Sequence, residues 1–125
     1  MSPTPPHVLV VDDEPLMLEL IRRILAGTGV TVSTVDTGSA ACSLLGAPPR
    51  PDIVIADLSM PVVDGMAVTA VAGALSPPIP VILLTGHKIT ADVPTNVRAV
   101  ILKPFRRAEL LGQLVTILGN AMNLE

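Results

Sequence analysis

Five polar residues that could bind a metal ion or a phosphoryl group follow short apolar runs of the sequence. They are two adjacent acids, a third acid, a hydroxyl and an amine, namely Asp12, Asp13, Asp57, Thr85 and Lys103. Carboxylates crowded together repel one another unless a cation lies among them, and a hard divalent ion such as Mg²⁺ prefers oxygen ligands. An ammonium and a hydroxyl beside them could neutralise and hold a phosphoryl group, with Asp57 as the nucleophile. The set therefore predicts an acyl phosphate formed beside a magnesium site.

The elements that carry these residues alternate between apolar runs and helix-like segments. Strands are predicted over 7–11, 30–35, 52–56, 79–84 and 97–102. Helices are predicted from Pro15 to about Gly27 or Gly29, from Gly38 to Leu45, from Asp64 to about Leu75, and from Arg106 through Leu118. This alternation predicts an α/β fold, a doubly wound five-stranded parallel sheet of flavodoxin-like order 2-1-3-4-5 with helices on both faces. Since ligands of such sheets bind at the carboxyl ends of the strands, the five polar side chains should converge.

Composition excludes several functional classes. The net charge of −3 gives no basic face for nucleic acid, and one Phe with no Trp or Tyr leaves no aromatic platform for bases or flavin. The single cysteine excludes an intrachain disulfide. No apolar stretch reaches the roughly 18 residues of a membrane span, and the first residues lack the pattern of a secretion signal. We therefore expect a cytoplasmic protein that contacts neither nucleic acid nor membrane directly.

The motifs around the five residues resemble those of response-regulator receiver domains in two-component signalling. The run 8–15 is similar to the acidic pair after the family's first strand, and 57–65 is similar to its phosphoacceptor loop, with a proline and a glycine four and eight residues after the acid. Thr85-Gly86 and Lys103-Pro104-Phe105 resemble its hydroxyl and lysine motifs, the latter usually containing a cis peptide. The five motifs occur in the family's order and cover nearly the whole chain.

The resemblance implies a phosphoacceptor and a metal site. Asp57 accepts a phosphoryl group from a phosphohistidine on a sensor histidine kinase or a histidine phosphotransfer protein. Asp13 and Asp57 ligate Mg²⁺, Asp12 acts through a water molecule, and the backbone carbonyl of Ser59 completes the protein ligands. Such a domain catalyses only its own phosphorylation and dephosphorylation, so we do not expect a turnover enzyme.

The resemblance also implies how the phosphoryl group is held and where the domain lies. Thr85 and Lys103 hold the phosphoryl oxygens. The receiver domain is expected over residues 7–121, between flexible tails at 1–6 and 122–125. A phosphorylation-dependent homodimer is a further expectation for a domain of this kind.

Two departures from the family pattern lie after the fourth strand. The family commonly has an aromatic residue three positions before its lysine, where this chain has Val100. The span from Thr85 to Lys103 is shorter than usual, and Pro94 disfavours helix at the residue before it. The fourth helix of the family is therefore expected to be short, irregular or absent, and the family's usual output mechanism is not carried over.

Three other functions are compatible with parts of this sequence. A pseudo-receiver that binds proteins without being phosphorylated is the main alternative, and Val100 favours it. A flavodoxin-like nucleotide binder shares the topology but needs a glycine-rich phosphate loop and aromatic residues. A haloacid-dehalogenase-like phosphatase needs a second acid two residues after its nucleophile, where this chain has Ser59.

Overall fold

The computed structural model describes residues 4–89, 92–119 and 122. Within them the chain alternates strands and helices almost throughout. The elements are β1 (His7–Val11), α1 (Pro15–Leu25), β2 (Thr31–Val35), α2 (Gly38–Leu45), β3 (Ile53–Asp57), α3 (Gly65–Gly73), β4 (Val81–Thr85), β5 (Val97–Leu102) and α4 (Arg107–Leu118).

The five strands form one parallel sheet in the order β2-β1-β3-β4-β5, which confirms the predicted topology. All residues of β3 and β4 are buried, as expected for central strands of a sheet covered on both faces. Helices α1 and α4 supply Ile21, Leu25, Leu110 and Leu114 to the core on one face. Helices α2 and α3 complete a second core on the other face.

Helix α1 begins at the predicted residue and ends shortly before the predicted glycines. Pro15 occupies its first turn, where the missing N–H group of proline would have no helical partner. The helix ends at Leu25 rather than at the predicted Gly27 or Gly29, because the chain turns there through both glycines. Their φ angles of 79° and 85° are accessible to glycine at little steric cost, and β2 follows directly.

The ends of two central strands differ slightly from the predicted ones. Asp57 is the last residue of β3 and Thr85 is the last residue of β4, whereas both were predicted to follow their strands. Strand β4 begins at Val81 instead of Ile79, since Pro80 has no N–H group to donate to a neighbouring strand. The backbone of both residues is therefore held by strand pairing in the sheet.

The connection from β4 to β5 contains no helix in its described residues, 86–89 and 92–96. This agrees with the prediction of a short, irregular or absent fourth helix in the family's numbering. The connection ends in a turn in which Val97 N–H donates to the Pro94 carbonyl at 3.0 Å. The Asn96 side chain donates to the carbonyls of Thr69 and Ile79 at 3.0 and 3.2 Å, which attaches the connection to α3 and to the segment before β4.

The predicted N-terminal tail is partly fixed to the sheet. Pro6 is buried, and its carbonyl accepts the Thr31 N–H at 2.8 Å, so pairing between β1 and β2 extends into residue 6. Residues 1–3 of that tail and 123–125 of the C-terminal one lie outside the described residues. In the described part of the chain, no helix has the length and apolar character needed to cross a membrane.

Candidate functional site

The register of the sheet brings the polar strand ends to one edge at the same level. Val11 pairs with Ala56, so the residues that follow, Asp12 and Asp57, lie beside each other on neighbouring strands. Pairing of Asp57 with Leu84 places Thr85 one residue further along β4. Lys103 N–H donates to the Thr85 carbonyl at 2.8 Å, which extends the β4–β5 pairing to the lysine. The predicted convergence is confirmed for these four residues.

Lys103 joins two of the acids directly. Its ammonium lies 3.2 Å from Asp12 Oδ2 and 3.3 Å from Asp57 Oδ1. The Asp12 side chain is fully buried, that of Asp57 is 10 % exposed and that of Lys103 is 21 % exposed. The Lys103–Pro104 peptide is cis, as predicted. One ammonium therefore faces two carboxylates that are largely shielded from solvent. When both acids are ionised, the group of three side chains carries an excess negative charge.

Asp12 bears an electrostatic cost in this arrangement. Burial raises its pKa above the ordinary value, and the neighbouring Asp57 charge adds to that effect. A hydrogen bond from Glu14 N–H at 2.9 Å and the Lys103 ammonium both act to lower the pKa. Because the net shift is upward, charging Asp12 in the folded protein costs free energy.

For Lys103, in contrast to Asp12, the effect of the neighbouring charges on the pKa exceeds the effect of burial. Burial by itself lowers the pKa of the ammonium, but the charges and hydrogen bonds of Asp12 and Asp57 outweigh burial and raise it above the ordinary value. The two partners differ because Asp12 is fully buried beside a second carboxylate, whereas the partly exposed Lys103 faces two opposite charges. The lysine therefore stays protonated over the whole neutral range.

Asp13 completes a cluster of acids that could hold a cation. Carboxylate oxygens of Asp12, Asp13 and Asp57 lie within 4.8 Å of one another, and only Asp13 of the three is exposed. Hard oxygen donors at this spacing suit Mg²⁺ or Ca²⁺ more than a soft metal. Ser59 N–H donates to Asp57 Oδ1 at 3.4 Å, which holds the acid from the loop side; the ligand role of the Ser59 carbonyl stays a prediction.

The Thr85 hydroxyl forms hydrogen bonds within its own turn. It donates to the His87 carbonyl at 2.9 Å and accepts the His87 N–H at 3.1 Å, and Thr85 is only 4 % exposed. The hydroxyl has a single proton, so donation to a phosphoryl oxygen requires it to leave the His87 carbonyl. The predicted phosphoryl contact of Thr85 therefore needs a change of partner.

Two glycines allow the loop between β3 and α3 to pack tightly. A Cβ atom on Gly65 would meet the backbone carbonyl of Asp57 and lie 2.8 Å from Leu58 Cα, and one on Gly38 would meet the Val63 carbonyl. Asp64 caps α3 by accepting the Ala67 N–H at 2.9 Å. The importance of Gly38 was missed, because nothing local in the sequence indicates that the start of α2 contacts a loop 25 residues later.

Comparison of this sequence with known protein families identifies the family to which it belongs. A sequence profile described as the response regulator receiver domain matches residues 8–115. This chain belongs to that family. The matched residues include β2 to β5, all of β1 except His7, and all five polar residues at the carboxyl edge. The receiver fold inferred from the motifs is thereby confirmed.

Curated relatives of this receiver domain are longer proteins. It is 39% identical over 92 residues to the transcriptional regulatory protein GlrR of Escherichia coli (strain K12), covering 74% of this chain and 20% of GlrR. It is 33% identical over 119 residues to the transcriptional regulatory protein PrrA of Mycobacterium tuberculosis, covering 92% of this chain and 51% of PrrA. The receiver domain thus spans from a fifth to about half of these relatives.

Solved receiver domains share the fold over almost the whole chain. The signal receiver domain of an HD domain-containing protein from Pseudomonas fluorescens Pf-5 has a TM-score of 0.84 and 25% identity, covering 94% of this chain and 97% of that one. The receiver domain of sensor histidine kinase PA1611 from Pseudomonas aeruginosa PAO1, solved with a magnesium ion coordinated in its active site cleft, has a TM-score of 0.81 and 27% identity, with 93% and 99% covered.

Proposed function

We propose that this receiver domain is a phosphoacceptor, and that Asp57 takes a phosphoryl group from a phosphohistidine on a sensor histidine kinase or a histidine phosphotransfer protein. The observation that carries the proposal is the position of the Lys103 ammonium, 3.2 and 3.3 Å from the carboxylates of Asp12 and Asp57 at the carboxyl edge of the sheet. From this position the Lys103 ammonium can also bind the negatively charged oxygens that a phosphoryl group adds to Asp57.

In the transfer, an Asp57 carboxylate oxygen attacks phosphorus. The new O–P bond forms an acyl phosphate as the P–N bond to the histidine breaks, and the imidazole nitrogen retains the bonding pair and takes up a proton. Lys103 loses part of its attraction to the carboxylate and gains a phosphoryl oxygen as partner. Thr85 can donate its hydroxyl proton to another oxygen once it leaves the His87 carbonyl.

The acidic cluster fits a resident Mg²⁺ ion. Its donors are carboxylate oxygens, its spacing is within 4.8 Å, and the exposed Asp13 gives access from solvent. In this proposal Asp13 and Asp57 bind the ion directly, Asp12 acts through water, and the Ser59 carbonyl supplies a further oxygen. Bound there, Mg²⁺ supplies the positive charge that lets an anionic carboxylate accept an anionic phosphoryl group. The magnesium site of the PA1611 receiver supports this assignment.

The domain's own chemistry is limited to phosphorylation and later hydrolysis of its acyl phosphate. We propose no turnover of an external substrate, because the acyl phosphate blocks the proposed nucleophile, Asp57, until it is hydrolysed. A cytoplasmic location, expected for a partner of a kinase of this class, stays a prediction.

The proposal is tested by intact mass after incubation with acetyl phosphate. The native chain should gain the mass of one phosphoryl group when Mg²⁺ is present and none when the ion is removed with EDTA. The Asp57→Asn variant should gain nothing under either condition, because an amide cannot act as the nucleophile.

Asp64→Asn is the matched control. It removes an acid from the same loop but keeps a residue that caps α3 well, so its phosphorylation should match that of the native chain. If the native chain gains no mass with Mg²⁺ and acetyl phosphate, the phosphoacceptor proposal is wrong and the pseudo-receiver function is favoured.

Magnesium binding should itself stabilise the fold. The ion offsets the repulsion among Asp12, Asp13 and Asp57, so at about 100 times its dissociation constant it should add about 2.7 kcal/mol to the free energy of unfolding. Urea denaturation with and without Mg²⁺ at constant ionic strength measures this. The Asp13→Asn variant should lose most of the gain.

Glu14→Gln serves as the control for that measurement, since Glu14 is exposed and adjacent to the cluster but not part of it. The control should keep the Mg²⁺ effect in full. Equal stabilisation of the Asp13→Asn variant by Mg²⁺ would place the ion at another site.

A further inference from the structure

One face of the sheet is left uncovered at its β5 edge. Every residue of β3 and β4 is buried, but β5 has Val100 at 39% and Leu102 at 47% exposed. Their strand neighbours Ala99 and Ile101 face the other way and pack with the core under α1 and α4. Strands of a parallel sheet are normally covered on both faces, so this exposure calls for an explanation.

The cause is the connection between β4 and β5. A crossover between parallel strands usually contains a helix that lies on the sheet, and the described part of this crossover, 86–89 and 92–96, contains none.

The exposed face forms the floor of a groove. A cavity of about 350 Å³ is lined by Lys88, Ile89, Val93, Val100 and Leu102. Four of these side chains are aliphatic, and Lys88 is the charged one among the described lining residues. Arg98, also exposed, lies two residues before Val100 in the same strand. Asp92 is the acid of this region and does not line the cavity.

We propose that this groove, defined by Lys88, Ile89, Val93, Val100 and Leu102, binds an amphipathic helix of another protein that carries an acidic residue beside its apolar face. A helix is the element that a parallel sheet normally accepts on its face. Its apolar side chains cover Val100 and Leu102, and its carboxylate pairs with Lys88, with Arg98 near the opposite end of the exposed strand.

Charge also favours an acidic helix over a second copy of the chain as the occupant of the groove. In a two-fold symmetric dimer through this groove, both copies bring the surface that carries Lys88 and Arg98 to the interface, so like charges are concentrated there. An acidic helix meets both with attraction. The proposal does not depend on phosphorylation of Asp57, so either can fail while the other holds.

The test selects helices against the whole 125-residue chain. A displayed library of helix-forming peptides of about 18 residues, long enough to populate a helix in water, is randomised along one face. We expect the selected peptides to share an apolar stripe at helical spacing with Glu or Asp beside it. One selected peptide is then synthesised with a Trp label, which is specific because the chain has no Trp or Tyr.

Binding of that peptide is compared among variants of the chain. Leu102→Glu should weaken it by about 30-fold or more, as loss of a central apolar contact does. Lys88→Glu should weaken it by about fivefold, and changing the peptide's acid to Lys should restore most of the affinity for this variant alone. Leu44→Glu is the matched control, since Leu44 on α2 is 43% exposed but lies outside the groove; it should bind normally. Thermal melts verify that each variant is folded.

Three results would overturn the proposal. One is a selection in which no helical peptide is enriched, or in which the enriched helical peptides are basic. Another is equal binding of the peptide to the native chain and to Leu102→Glu. The third is a dimer in sedimentation that Leu102→Glu dissociates, because it would show that a second copy covers the groove.

Discussion

Replacing Lys103 by Met should lower the free energy of unfolding by about 3 kcal/mol at neutral pH, the lower end of the range for breaking a buried ion pair. The side chains have similar lengths, so the change removes the charge and leaves most of the packing. Without the ammonium, the fully buried Asp12 and the nearly buried Asp57 lose their shared counter-charge. The partial exposure of Lys103 places the effect at the low end.

The effect should depend on pH in a defined direction. The pKa of Asp12 is higher in the folded than in the unfolded protein. The contribution of Asp12 to the free energy of unfolding is therefore fully present below the ordinary pKa of 3.8 and is lost as pH rises through the folded-state pKa. Removing Lys103 raises that pKa further and deepens the loss. Lys103 itself, with a pKa above 10.5, contributes its stabilisation throughout the neutral range. The difference between native and variant should therefore be widest at neutral pH and narrow in acid.

Urea denaturation across this pH range measures the difference, and the only other lysine provides the control. Lys88→Met removes an equal charge from an exposed loop and should change stability by no more than about 0.5 kcal/mol. A Lys103→Met loss that is independent of pH would mean that packing, and not charge, is the contribution of this side chain.

Replacing Gly65 by Ala should lower the free energy of unfolding by about 3 kcal/mol, the upper part of the usual range for overpacking. The added methyl group would meet the Asp57 carbonyl and lie 2.8 Å from Leu58 Cα. These are backbone atoms of the proposed phosphoacceptor at the end of β3 and of the residue after it, so they cannot rotate away as a side chain could. Separation of α3 from β3 should also slow phosphorylation by acetyl phosphate.

Gly112→Ala is the matched control, with an effect of opposite sign. Gly112 lies within α4, and a Cβ there meets nothing within 4 Å. Ala in an exposed helix interior should increase stability by about 0.5–1 kcal/mol. If both substitutions stabilise the protein, the β3–α3 loop moves freely enough to accept a methyl group, and the tight packing inferred at Gly65 is wrong.

Much of the fold could be predicted because each apolar run has a definite length and ends in a polar residue. A run such as Ile53–Ala56 is buried on both sides, which indicates a central strand, and the acid after it indicates the carboxyl edge. Parallel strands present their carboxyl ends together, so the grouping of Asp12, Asp57, Thr85 and Lys103 follows from topology alone. The lack of a helix in the described part of the β4–β5 connection was also predictable, from the short span containing Pro94.

Contacts within the site were less accessible from the sequence. The Thr85 hydroxyl bonds the His87 backbone, a choice made by the local turn and not by residue type. The contact of Gly38 with the Val63 carbonyl depends on how α2 packs against a distant loop. Neither feature has a periodic pattern, so sequence reasoning could name the residues near the site but not these partners.

The sequence by itself determined the parallel α/β sheet, the edge at which the polar residues gather and the identity of those residues, because hydrophobic periodicity and strand-end polarity are local properties of the chain. Only the tertiary structure decided that Lys103 bridges Asp12, 91 residues away, and Asp57, and that Val100 and Leu102 stay exposed. Those outcomes depend on strand register and on which surfaces of the sheet are covered by other elements. Both are properties of segments distant in sequence, fixed when the whole sheet packs.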